Sequence, residues 1–208
     1  MKKVYINRQW QGGADPVTRD GAEEIANLYL AGKDHVDLPV STDITVKKNG
    51  IRGFDILRRQ MRSAYERLRA VMDDRCFGLL ENPCPLKPSQ VIHIGGRDFD
   101  DAERTFKSKT GMAAHTVQEV RSDGEFLRRT ARENQPGPVY IHLDLDVLDP
   151  SDFLNTPLPV GGGLCCGEVW DILNAFADRL VGLGVYEYAP AGAKSAFMEK
   201  LVRFGLAL

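Results

Sequence analysis

In the stretch YIHLDLDVLDPSDFLNTPLPVGGGL, residues 140–164, three aspartates (Asp144, Asp146 and Asp149) crowd the end of an apolar run and the start of a Pro- and Gly-rich loop. Side chains alternate along a strand, so Val139, Ile141, Leu143 and Leu145 share one face, and Tyr140, His142, Asp144 and Asp146 the other. A strand buried on both faces should be apolar on both. Two carboxylates on one side at its end break that rule, and burying them bare is costly. Either a hard cation or a basic side chain must compensate. A plainer reading has them capping the following loop or pairing with an arginine. A second apolar run, VGLGVYEYAP, ends in Glu187, and a third, VIHIGGRDFDDAE, ends in Arg97, Asp98 and Asp100. Acidic groups at three strand ends would make one acidic crevice, suited to a metal or a cationic substrate.

The elements that must position these groups alternate. Strands are expected over 3–6, 35–40, 90–95, 114–117, 138–146 and 181–187. Helices are expected over 20–30, 54–72, about 118–134, 166–180 and 193–203, with residues 76–80 a further candidate strand. Such alternation predicts a three-layer α-β-α fold around a mainly parallel sheet, with ligand sites at the carboxyl ends of the strands. No repeat, low-complexity segment or linker marks a boundary, so the 208 residues are expected to form a single domain. With 43% hydrophobic and 27% charged residues the composition is that of a soluble globular protein. A formal net charge of −2 and a pI near 6.1 argue against a nucleic-acid partner. The lack of a long apolar run or a signal-peptide core predicts a cytoplasmic protein without a membrane partner. Cys76, Cys84, Cys165 and Cys166 form neither a C-x-x-C pair nor a secreted disulfide framework. Cys165 and Cys166 follow three glycines at a helix start, where a thiol pKa could fall, although ordinary packing is the plainer reading.

HLDLDVLDPSDFLNTPLPVGGGL resembles the ureohydrolase signature of the arginase, agmatinase and formimidoylglutamase superfamily. In that signature a strand carrying D-x-D-x-x-D-P is followed by T-P and Gly-Gly-Leu. IGGRDFDDAE is similar to the family's I-G-x-R-D-x-D segment, and GVYEYAP to its late E-x-x-P strand end. RQWQGGADP followed by GAEEIANLYL is similar to the opening of the arginase-like branch. The resemblance implies that Asp144 bridges two Mn(II) ions and that Asp146 binds one of them. It places Glu187 against a substrate guanidinium with Thr156 beside it, and Asp100 at the substrate's α-amino end. The implied reaction is hydrolysis of a C–N bond, in which two ions about 3.5–4 Å apart lower the pKa of a water. A small cationic guanidino substrate and a homo-oligomer are implied as partners.

The chain departs from its relatives at its centre. It has no D-x-H-x-D anywhere, and the shortfall falls between the 54–72 helix and the 90–95 strand. DRCFGLLENPCP could align with the family's G-G-D-C strand end and bring Cys84 to a ligand position. The four histidines show no spacing that builds a site: His93 sits in an apolar strand, His115 lies beyond the third strand end, His35 begins a strand, and His142 precedes the aspartate pair. Two readings stay open: a Mn-dependent amidino hydrolase of arginase type, and a catalytically silent relative with an assembly or regulatory role.

Overall fold

The computed structural model describes residues 4–6, 8, 17–38, 40, 47–48, 51–52, 87–97, 99, 101–123, 125–126, 129–130 and 137–208. They fall into two compact units, one built from residues 1–84 and 188–207, the other from residues 85–187.

In the first unit, β1 (Tyr5–Ile6) runs parallel to β2 (Val36–Asp37), and β3 (Lys47–Lys48) runs antiparallel to β4 (Ile51–Arg52). Helix α1 (Val17–Glu24) continues into a wider π-helical turn, Ile25–Tyr29. The apolar positions of this stretch supply the core: Ile6, Ala26 and Leu30 are buried, with Val4, Ala22, Ile25, Val202 and Leu206 packed against them. Val202 and Leu206 come from the last helix, Ala196–Ala207. The Glu24 carboxylate accepts from the Tyr188 hydroxyl at 2.8 Å and from the amides of Ala191 and Gly192 at 2.8 and 2.7 Å. This fixes the chain just after the last strand. Gly21 is required there, because a Cβ would lie 1.9 Å from the Tyr188 carbonyl oxygen.

In the second unit, β5 (Ile92–Ile94) pairs in parallel with β6 (Ala113–His115), and β7 (Val139–Asp144) with β8 (Leu180–Tyr186). The β5–β6 connection is α2 (Asp101–Thr110), a helix that the sequence reading did not anticipate. Helix α3 (Val117–Ser122) opens on a capping box in which Thr116 and Glu119 satisfy each other's backbone amides. Helix α4 (Cys166–Phe176) crosses between β7 and β8. Leu145, Leu148, Leu164, Val169 and Leu173 are almost wholly buried. They come from the loop after β7 and from α4, so apolar burial itself anchors the loop that carries the aspartates.

One expectation needs correction. The strand expected to 146 stops at Asp144, and a 3₁₀ turn over Leu145–Val147 takes its place, so Asp146 leaves the alternation. The helix expected from about 118 is present as α3, and Phe126, Arg129 and Thr130 are helical as well. The expected helix over 54–72, the candidate strand 76–80 and Cys84 lie outside the described residues. Among the described residues no helix is long and apolar enough to cross a membrane.

His93 is held within β5, half-buried, with its ring 5.2 Å from that of Phe99 and its Nδ1 unpartnered. Burial, reinforced by the nearby Lys107 charge, lowers its pKa below the ordinary 6.5. The unfolded chain therefore takes up this proton more readily than the native one. Stability is expected to fall as pH drops below 6.5 towards the folded value, with no further loss below that value. Thermal melts at stepped pH on wild type and His93→Gln test this: the variant should lose that part of the slope, and an unchanged slope refutes it.

Candidate functional site

Parallel pairing brings two strand ends together. Asp144 is the register partner of Tyr186, so Glu187 stands one residue beyond the position opposite Asp144. Glu187 has φ 55°, and among the described residues no other non-glycine has a positive φ. A β-carbon is crowded in that left-handed region, and strained residues of this kind gather at functional sites. The turn takes Glu187 out of the strand's alternation at the sheet's carboxyl edge.

Asp146 and Glu187 both feel the Asp144 charge. Burial and then the Asp144 charge push the Asp146 pKa up, against the opposing pull of Arg97. Burial, followed by the charges of Asp144 and Asp146, likewise raises Glu187, although Glu187 is exposed and much of that repulsion is screened by water. Asp144 also accepts the Asp146 amide at 3.3 Å, which shapes the 3₁₀ turn. Asp144 and Glu187 thus sit at the adjoining carboxyl ends of β7 and β8, with Asp146 in the turn that follows β7. Asp98 and Asp100, expected at the third strand end, lie outside the described residues.

Asp149, the third aspartate, has a different task. One oxygen accepts from the amide and hydroxyl of Ser151 at 2.9 and 2.6 Å, the other from the amides of Gly162 and Gly163 at 2.8 and 3.1 Å. The Ser151 hydroxyl and amide, with the glycine amides, lower its pKa to about 2. It is a loop staple, the role that the plainer reading of the sequence offered for Asp144 and Asp146. Gly163 has no room for a side chain, since a Cβ would sit 2.5 Å from the Leu148 carbonyl carbon. Leu148 and Leu164 then pair in parallel, with Asp149 N donating to Leu164 O at 2.8 Å and Leu164 N to Val147 O at 2.9 Å.

Thr156 is buried at 6% exposure, and among the described residues its hydroxyl has no hydrogen-bond partner, Glu187 included. Cys165 caps α4, accepting the Glu168 amide through Sγ, while Glu168 accepts the Cys165 amide at 2.7 Å. Arg121 holds that glutamate by two bonds, at 2.6 and 2.9 Å, and lowers its pKa to about 2. The lowered thiol pKa considered for this helix start is not found at Cys166. Burial, and then Asp152, push that thiol up to about 12.

All four histidines of the chain are described, and each has a ring or hydrogen-bond contact. His35 Nδ1 meets the Lys33 carbonyl at 3.1 Å, His93 lies against Phe99, and His115 sits edge-on to Phe126 at 4.5 Å. His142 stacks on Tyr186 at 3.8 Å. By donor type and charge, Asp144 and Asp146 fit a hard divalent cation, which would relieve a crowded set of oxygen ligands. Among the described residues no group of three Asp, Glu, His or Cys side chains is gathered to hold an ion.

Arg97 was noted in the sequence only as a neighbour of Asp98. Its guanidinium donates to the carbonyls of Val147 at 2.9 Å, Asp146 at 2.6 Å and Val160 at 2.9 Å, with a longer contact of 3.5 Å to Gly95. A basic residue immediately after a strand glycine was the available signal.

Comparison with known proteins agrees with this arrangement. The chain is 32% identical over 115 residues to arginase of Eremothecium gossypii, an alignment covering 52% of this chain and 29% of that protein. It is 32% identical over 114 residues to N(1)-aminopropylagmatine ureohydrolase of Thermus thermophilus, covering 52% and 37%. The matched stretch thus spans about a third of the length of these curated relatives. The fold resembles the crystal structure of arginase from Bacillus subtilis with a TM-score of 0.75, at 17% identity over 99% of this chain and 96% of that one. That likeness shows a shortened α/β arginase-like fold. Residues 50–203 match the Arginase family, whose members generally depend on a binuclear metal centre, and the chain belongs to that family.

Proposed function

We propose that this chain is an arginase-type metallohydrolase that cleaves a guanidino C–N bond and releases urea from an arginine-like substrate with Mn(II) bound. The observation that carries the reading is the convergence of Asp144, Asp146 and Glu187 at the ends of two paired parallel strands. Asp144 and Asp146 would hold the metal, which when bound supplies Lewis-acid polarisation and a water of lowered pKa. Glu187 is exposed and adjacent, and its carboxylate would receive the guanidinium as a charge-assisted partner. The net negative crevice draws in a cation and disfavours anionic competitors. Loop order comes from Asp149 and from the buried leucines, so the carboxylates are set before ligand arrives.

A second reading, a catalytically silent relative with an assembly or regulatory role, is favoured by one observation. Among the described residues no group of three Asp, Glu, His or Cys side chains is gathered to hold an ion. The test is urea release from arginine, agmatine and N(1)-aminopropylagmatine by the purified chain loaded with Mn(II), alongside direct Mn(II) binding. Metal-dependent urea release supports the hydrolase. Mn(II) binding without urea from any of the three selects the silent relative, and neither binding nor urea removes the metallohydrolase.

A further inference from the structure

Arg97 lies beside the acidic convergence and yet, among the described residues, makes no ion pair with any carboxylate. A guanidinium next to carboxylates ordinarily forks onto one of them. Here its Nη atoms are committed to backbone carbonyls from three separate segments: Gly95 after β5, Asp146 and Val147 in the turn after β7, and Val160 in the Pro- and Gly-rich loop. Nε is buried and, among the described residues, has no partner. Only the planar five-donor fork of arginine meets carbonyls from several directions at once; a lysine ammonium is a point donor on a flexible stem. The arrangement leaves the Asp144 and Asp146 oxygens to another cation while tying down the backbone that carries one of them.

We propose that Arg97 is a positioning residue for the Asp144–Asp146 ligand pair: its guanidinium pins the Asp146–Val147 turn to the end of β5 and to the Val160 loop. This role rests on the metallohydrolase reading and assigns a part in metal capture to a residue that does not itself touch the metal. Second-layer groups that orient ligands are commonly worth 10–100-fold in metal affinity. Side-chain truncation at Arg97 should therefore weaken Mn(II) binding on that scale.

The experiment is Mn(II) titration of the full chain, followed by the electron paramagnetic resonance signal of the free ion. It compares wild type with Arg97→Ala, Arg97→Lys and Arg121→Ala. Arg121 is the comparator because it also bonds a carbonyl of this loop, Gly163 at 2.9 Å, and pairs with Glu168 well apart from the aspartate turn in sequence. Arg97→Ala should bind Mn(II) about 10–100-fold more weakly, with millimolar methylguanidinium restoring part of the loss. Arg97→Lys should remain weakened. Arg121→Ala should melt at a lower temperature with its Mn(II) affinity unchanged. Wild-type affinity in Arg97→Ala, or an equal loss in Arg121→Ala, overturns the proposal while leaving the metallohydrolase reading intact. A wild-type chain that takes up no Mn(II) overturns both. Should Arg97→Ala not fold, as judged by circular dichroism, Arg97→Lys decides: weakened binding supports the role, and wild-type binding overturns it.

Discussion

Asp144→Ala is expected to abolish Mn(II)-induced stabilisation and any urea release, by at least about a hundredfold in activity. Even groups that merely orient a ligand reach that scale, and Asp144 is placed to be a ligand. It ends β7, opposite Tyr186, with its charge felt by both Asp146 and Glu187. A ligand that binds only the native state adds RT ln(1 + [L]/Kd), about 2.7 kcal/mol at one hundred times Kd. Wild-type melting should therefore climb with Mn(II), and Asp144→Ala melting should not. Asp149→Ala provides the contrast. That carboxylate is consumed by Ser151, Gly162 and Gly163, so its loss should lower stability with and without metal and leave the Mn(II)-induced increment in place. Melting curves of the three proteins at stepped Mn(II) read both effects. A full Mn(II) response in Asp144→Ala removes that residue from the site.

Why one aspartate is a ligand candidate and its neighbour a staple was only partly legible in the sequence. Alternation placed Asp144 on the face of Tyr140 and His142, and the parallel register with Gly182, Gly184 and Tyr186 agrees. Alternation failed for Asp146, because the backbone leaves the strand one residue earlier. A carboxylate that accepts the amide two residues on is a local competitor of the ladder, and this is what Asp144 does. Nor does periodicity reveal that Glu187 would take a left-handed backbone, since a side-chain pattern carries no sign of φ. Helix α2 escaped notice because its residues DAERTFKSKT carry no apolar stripe, and none of its residues is buried. The helix is set by acidic residues in its first turn and lysines in its last, which complement the backbone dipole. Arg97 escaped for another reason: its partners are carbonyl oxygens, some as far as 63 positions away in sequence, and no residue type announces a carbonyl.

Asp146→Asn should move stability in opposite directions with and without metal. In the metal-free chain, Asp146 is half-buried beside two like charges, and burial together with Asp144 outweighs the attraction of Arg97, so its carboxyl is held above the ordinary value. The native state is therefore penalised whenever Asp146 is ionised, a penalty that is absent at low pH and grows as pH rises through the folded value. Asparagine keeps the shape and removes the charge. At neutral pH in the presence of a chelator, Asp146→Asn should consequently melt higher than wild type. At saturating Mn(II) the order should reverse, because the variant forfeits an anionic ligand and with it the stabilisation that binding confers. Glu187→Gln should follow the same sign in the chelator with a smaller gain, since that carboxylate is exposed and its repulsion is already screened. Added salt should narrow the metal-free gap between wild type and Asp146→Asn, because it shields the repulsion that only the wild type suffers. If Asp146→Asn instead melts lower than wild type in the chelator, the carboxylate is satisfied within the protein, and the crowding of the three acids is not what keeps the site ready for a cation.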